Sequence, residues 1–251
     1  MESLHCAKEG KLILKECIHP KLKSEGFKKS GNTFYRVRGE LIDVVNVQFG
    51  RSNTKDYSYF TYNIKIAMPS FYERFNMHYE KNFDCQIIEY RVGDIICFMN
   101  NLYPIEYWYK IGDQGLDMEI LNGLISDGCN APGITQKGLE SLKKELETLK
   151  LLESRYDFKN IEQIRKTIIL DIDTAILPFF NKIESIDALA ELIAPRKHLL
   201  SRAVFFLFIY YMEKGETIEG MRLAKSLSDI KGYKDRIDKY LYDKGLHSYI
   251  E

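Results

Sequence analysis

Two stretches, LIDVVNVQF at residues 41–49 and SYFTYNIKIA at 58–67, decide the fold. Both alternate, and both are rich in Val, Ile, Tyr, Phe and Thr, the residues that fit a pleated surface. In the first, Leu41, Val45, Val47 and Phe49 share one face, while Asn46 and Gln48 lie on the other beside Ile42 and Val44. In the second, Phe60, Tyr62, Ile64 and Ile66 share a face, and Thr61, Asn63 and Lys65 share its opposite. If the strands pair with their apolar sides together, Asn46, Gln48, Thr61, Asn63 and Lys65 line one polar sheet face, which Arg36 can join.

Working outward, TFYRV at 33–37 precedes this pair through an Arg38-Gly39-Glu40 turn. CQIIEYR at 85–91 and DIICFM at 94–99 read as a hairpin about Val92-Gly93, and IEYWYKI at 105–111 as a last strand. Residues 70–83 read as a long aromatic loop. Short strands on short turns predict an antiparallel sheet. Ahead of it, residues 3–24 carry apolar side chains at helical spacing, interrupted at Gly10 and Pro20. After Gly112 the period changes from two to about three and a half. Helices are predicted over 115–126, 135–154, 160–183, 185–194, 198–213, 216–228 and 232–244. DGCNAPG at 127–133 breaks the chain, Pro178 kinks or ends its helix, and Gly215 turns a helical hairpin. The expected class is α+β: an antiparallel sheet of about five to six strands with an N-terminal helix, then an all-helical C-terminal half. The expected division is a sheet domain at 1–132 and a helical region at 133–251 packed on or beside it, with a soft boundary near Pro132.

The composition is that of a folded chain, with 45% hydrophobic residues among 251. Lys plus Arg equals Asp plus Glu at 36 each, which argues against duplex nucleic acid as a partner. The charges are unevenly spread. Residues 1–38 carry nine basic and four acidic side chains; residues 84–127 carry two basic and eight acidic. Five scattered cysteines without a CxxC pair read as free thiols of a reducing compartment, and the N-terminus lacks the pattern of a signal peptide. The expected location is the cytoplasm. The most apolar run, Ala203–Met212, is about half a membrane span, so it reads as a buried helix and no membrane partner is expected.

No metal or cofactor is expected. The histidines are far apart, with no HExxH, and no Gly-rich phosphate loop or GxSxG occurs. Asp171 and Asp173 are two apart on a helix and face different sides. Without a catalytic signature the chain leans away from an enzyme. Three places remain. The polar sheet face supplies ligand-binding candidates Arg36, Asn46, Gln48, Asn63 and Lys65, because two mid-strand Asn residues cost strand propensity. Arg91 is either paired with Glu89 or Asp94, or free to capture an anion through its fork. Tyr103, Glu106, Tyr107, Trp108, Tyr109 and Asp113 form an aromatic, acidic stretch suited to a protein partner. Alternation puts Tyr107 and Tyr109 on one side of that strand and Trp108 on the other, with Trp108 in the core if the stretch is structural.

The residues also resemble a known family. Gly26-Phe27-Lys28-Lys29, Phe34-Tyr35-Arg36 and Val45-Asn46-Val47-Gln48 resemble the opening of the domain of unknown function numbered 4304, and Phe60-Thr61-Tyr62-Asn63-Ile64 fits its next strand. Cys85 with Ile87, Arg91-Val92-Gly93 and Trp108 fit its later strands, and Ile176-Leu177-Pro178-Phe179-Phe180 its first C-terminal helix. The likeness spans most of residues 20–195. It implies a bacterial cytoplasmic α+β protein and no activity; some members resemble neighbours of toxin or defence genes.

The leading expectation is a non-enzymatic interaction protein, an immunity or defence component that binds a basic partner through 84–127. The alternative is a small-ligand or nucleotide-binding protein, or an unrecognised enzyme, using the polar sheet face.

Overall fold

Two prolines shape the helices at either end of the first structural unit. The computed structural model describes residues 5–112, 135–196, 199–230 and 232–246. The N-terminal helix runs as α1 (Cys6–Ile13), a π turn at Leu14–Ile18, and α2 (His19–Ser24). Pro20 has no N–H to bond back, and its ring crowds the carbonyl four residues earlier; the wide turn just before it relieves both. Strands β1 (Lys28–Ser30), β2 (Thr33–Arg38), β3 (Leu41–Phe49) and β4 (Tyr57–Ala67) follow, then α3 (Pro69–Arg74), β5 (Gln86–Arg91), α4 (Val92–Met99) and β6 (Tyr109–Gly112). The rest is helical: α5 (Gln136–Glu153), α6 (Ile161–Asp171), a second π turn at Ile172–Ile176, and α7 (Leu177–Asn181) with Pro178 in its first turn. Then come α8 (Ile186–Ile193), α9 (Ser201–Glu213), α10 (Thr217–Leu227) and α11 (Tyr233–Asp243). Thr135, Asn160 and Ser185 cap α5, α6 and α8 by accepting the N–H three residues on.

The expected class holds: one antiparallel six-stranded sheet with an N-terminal helix, then helices. The strand order is β1-β2-β3-β4-β5, and β6 also pairs β4. In register, Tyr57 faces Gly112 and Phe60 faces Tyr109. The elements differ from expectation in four places. Lys28–Ser30 forms β1, where no strand was expected. Residues 94–99, read as a strand, belong to α4. The signal was present: Val92, Ile95 and Ile96 recur at helical spacing and are buried, and Asp94 accepts the Arg91 N–H at 3.0 Å, closing the first turn. Gly93 is needed there, since a Cβ would lie 2.2 Å from the Ile105 carbonyl oxygen. The strand read over 105–111 shortens to Tyr109–Gly112, and the loop read over 70–83 opens with α3. The helix expected over 115–126, the break at 127–133, the boundary near Pro132 and Asp113 lie outside the described residues.

By contacts the chain forms two units: residues 1–36, 44–64 and 90–181, and residues 37–43, 65–89 and 182–251. In the first, Phe27 meets Phe180 at 5.9 Å and Tyr90 meets Phe179 at 6.0 Å. In the second, Phe71 packs on Phe205 and Phe206 at 5.6 Å, and Phe208 on Tyr240 at 5.5 Å. There α9 and α10 form the expected hairpin, turned by Gly215 at φ +81°. The buried Asp43 carboxylate receives the Arg38 guanidinium at 2.7 Å through both oxygens. No described helix is long and apolar enough to cross a membrane.

Candidate functional site

Along β4 of the first unit, Phe60 and Tyr62 are buried on the core side and Asn63 lies on the other. Strand β3 is buried through residues 41–45 and opens at Asn46 and Gln48. The three amides therefore meet at one end of the polar face, not along all of it. Asn63 Nδ2 donates to Asn46 Oδ1 and to Gln48 Oε1, both at 3.1 Å. Asn46 Nδ2 donates to Thr33 Oγ1 at 2.9 Å.

Arg91 ends β5 and completes this ladder. Its Nη1 donates to Gln48 Oε1 at 2.7 Å and to Asn63 Oδ1 at 2.6 Å. The guanidinium also stands 5.4 Å from the centre of the Trp108 ring. The carboxylates proposed for it from sequence are used otherwise: Asp94 takes its backbone N–H, and Glu89, in the second unit, pairs with Lys65 at 3.3 Å and Arg202 at 3.1 Å. The carboxylate beside Arg91 is Glu106, at 3.9 Å from Nε and itself 61% exposed. Trp108 Nε1 donates to Glu106 at 3.0 Å, and Tyr59 meets the Trp108 ring edge-on at 5.2 Å. Trp108 is half-buried and Gln48 is exposed. Arg91 thus ties the amide ladder to an aromatic surface of Tyr59 and Trp108.

The other candidates lie apart from this ladder. Arg36 sits at the corner of α2 and β1, donating to the Glu25 carbonyl at 3.2 Å with its guanidinium 4.8 Å from the Phe27 ring. Thr61 donates to the Tyr107 carbonyl at 2.8 Å. Tyr103 shares a hydrogen bond with Ser141. Tyr107 and Tyr109 are corrected from surface candidates to core: they are 1% and 0% exposed. The parity predicted for them is right, but the core is on their side and the surface on that of Trp108. Tyr109 stacks on Phe60 at 5.4 Å, as the register of β6 on β4 requires.

Tyr109 leads into a second cluster that sequence reading missed. Its hydroxyl donates to Asp171 Oδ2 at 2.6 Å, and Arg155 clasps the same carboxylate at 2.5 and 3.0 Å. Tyr107 donates to the Tyr156 hydroxyl at 3.1 Å, which also accepts the Lys110 N–H at 3.1 Å. Lys110 pairs with Glu153. Burial pushes Tyr107 and Tyr109 well above the ordinary phenol value, and Tyr156 up to about 12. For Arg155, burial opposes the charge, but Asp171 outweighs it and the guanidinium stays charged. Asp171 is 2% exposed, so this knot fastens β6 to α6 rather than meeting a ligand.

Nucleophile and metal chemistry find little support. Burial pushes the Cys17 and Cys85 thiols each up to about 11 and raises Cys97, so the thiolate is disfavoured. Among the described residues no three His, Cys, Asp or Glu side chains are gathered to hold a metal ion.

Comparison with known proteins gives one match. Residues 18–118 resemble the domain of unknown function DUF4304. That span takes in the whole amide ladder, Arg91, Glu106 and Trp108. It excludes Ile176–Phe180, which the sequence reading had included in the resemblance, and it excludes Arg155 and Asp171. No curated protein and no solved structure matches the chain.

Proposed function

We propose that this chain is a non-enzymatic interaction protein that binds a protein partner through the Trp108–Arg91 face of its first unit. The observation that carries the reading is Arg91 held over the half-buried Trp108 ring by the Gln48 and Asn63 amides. Trp, Tyr and Arg are the residues that dominate binding energy at protein interfaces, and a pre-set guanidinium loses less entropy on contact. The same geometry disfavours a groove that reads nucleotide bases. Asn63 spends both ends of its amide on its neighbours and is only 8% exposed, so the polar face has few donors and acceptors left to offer.

The finer reading is an immunity or defence component of the bacterial cytoplasm that holds a basic partner. Three observations support it: the excess of acidic residues over 84–127, the exposed Glu106 beside Trp108, and the free thiols Cys6, Cys17, Cys85 and Cys97. Pull-down with the full chain at low and high salt tests it. A basic protein that is retained by the wild type, weakened by salt and lost with Trp108→Ala is the expected result. No partner at either salt, or equal retention by Trp108→Ala, contradicts it.

A further inference from the structure

The second unit contains a cavity of about 250 Å³ that owes nothing to the Trp108 face. Its walls are apolar. Met68, Phe71, Phe206 and Ile209 line it, each under a tenth exposed. Two rings there, Phe206 and Tyr210, stack at 6.4 Å and present an aromatic side. Its rim is charged, with Glu40, Arg74 and Glu213.

The charges on that rim do not cancel. Arg74 forms a salt bridge with Glu213, and its guanidinium lies 5.1 Å from the Phe75 ring, so its charge is engaged. Lys214, near Tyr210 at 5.4 Å, is paired with Asp187 at 2.8 Å. Glu40, in the turn between β2 and β3, is exposed and has no ion pair among the described residues. The mouth therefore carries one unmatched carboxylate above an apolar, aromatic floor. Pockets for small molecules have this form, apolar walls with a few polar groups that set orientation, and the size suits a ligand of about a dozen heavy atoms. A positive head would meet Glu40 and the rim of Tyr210, while an uncharged body would bury against Phe71, Phe206 and Ile209.

We propose that this cavity binds a small organic cation, an ammonium group on a short alkyl or aryl-alkyl body. Glu40 selects the charge, and the walls supply most of the affinity, since an exposed ion pair alone contributes little. This inference is independent of the reading given to the first unit.

The test is titration of the full chain with 2-phenylethylamine, 2-phenylethanol and phenylacetate, three probes of similar shape and different charge, followed by calorimetry and protein NMR. The amine is expected to bind saturably at millimolar concentration or below, the alcohol more weakly and the carboxylate least. Glu40→Gln should weaken the amine by up to about fivefold, the ceiling for an exposed pair, and leave the alcohol unchanged. Ser70→Trp, an exposed change at the mouth, should block all three probes without touching the core, with the thermal midpoint confirming the fold. Equal binding of amine and alcohol, tighter binding of phenylacetate, no saturable binding by the amine, or no effect of Glu40→Gln would each overturn the proposal.

Discussion

The first unit holds two arginine clusters built from similar parts, and they do opposite things. Arg155 is closed in with Asp171, Tyr109 and Tyr107, and every strong contact is internal. Arg91 is held by neutral amides and lies against a ring at the surface. Both guanidiniums are partly exposed, but the carboxylate that Arg155 holds is buried, and a buried carboxylate needs a full counter-charge, because an uncompensated charge away from water is costly. Arg91 is held by amides, its neighbouring carboxylate Glu106 is itself exposed, and both stay within reach of something outside. The difference in counter-ion separates a structural tie from a recognition surface more clearly than residue type does.

Breaking the closed cluster should give the largest effect. Asp171→Ala leaves Arg155 without its counter-charge and Tyr109 without its acceptor, and should cost about 3–5 kcal/mol of stability in urea unfolding. Next comes alkaline pH. Tyr156, held up to about 12, and Cys17, up to about 11, keep their protons in the fold beyond their ordinary values of 10.0 and 9.0. The unfolded chain loses those protons first, so their contribution is full below about pH 9 and is lost as pH rises toward 12. Unfolding midpoints measured from about pH 8 upward should fall over that window, and Cys17→Ala should lessen the earlier part of the fall, to which Cys85, also up to about 11, contributes.

The open cluster should respond more mildly. Asn63→Ala removes an acceptor from Arg91 and two donated bonds from β3, at about 1–2 kcal/mol in the same unfolding measurement. Changing Asn46 and Asn63 together should also lower stability, because bonds join them to each other and to Thr33, Gln48 and Arg91. Gln48→Ala, at an exposed position with Asn63 still holding Arg91, should cost about 0.5 kcal/mol. If Gln48→Ala destabilises as much as Asp171→Ala, the contrast between the two clusters fails.

Much of this was legible before the structure. Alternation in 41–49 and 58–67 gave the two central strands, and their parity placed Asn46, Gln48 and Asn63 together on one side. The change of period after Gly112, with Pro178 and Gly215, gave the C-terminal helices from 135 onward. The residues around Val92 misled because Val-Gly-Asp has turn composition, and a capped helix of eight residues carries too little periodicity to outweigh it. The side of β6 that faces the core could not be read, since Tyr107, Trp108 and Tyr109 all fit a half-buried surface. The Asp171–Arg155–Tyr109 cluster was invisible for a different reason. Its members lie 16 and 62 positions apart, and only tertiary packing sets a carboxylate of α6 beside β6.

The central claim is that Trp108 and Arg91 are there to be touched. The direct measurement is the affinity of the captured partner for the wild type and for Trp108→Ala, with unfolding midpoints taken on both proteins. The expected loss in binding is at least about 2 kcal/mol, near thirtyfold, with the midpoint almost unchanged. Undiminished affinity with a lowered midpoint would contradict it, and would make Trp108 a packing residue like Tyr109.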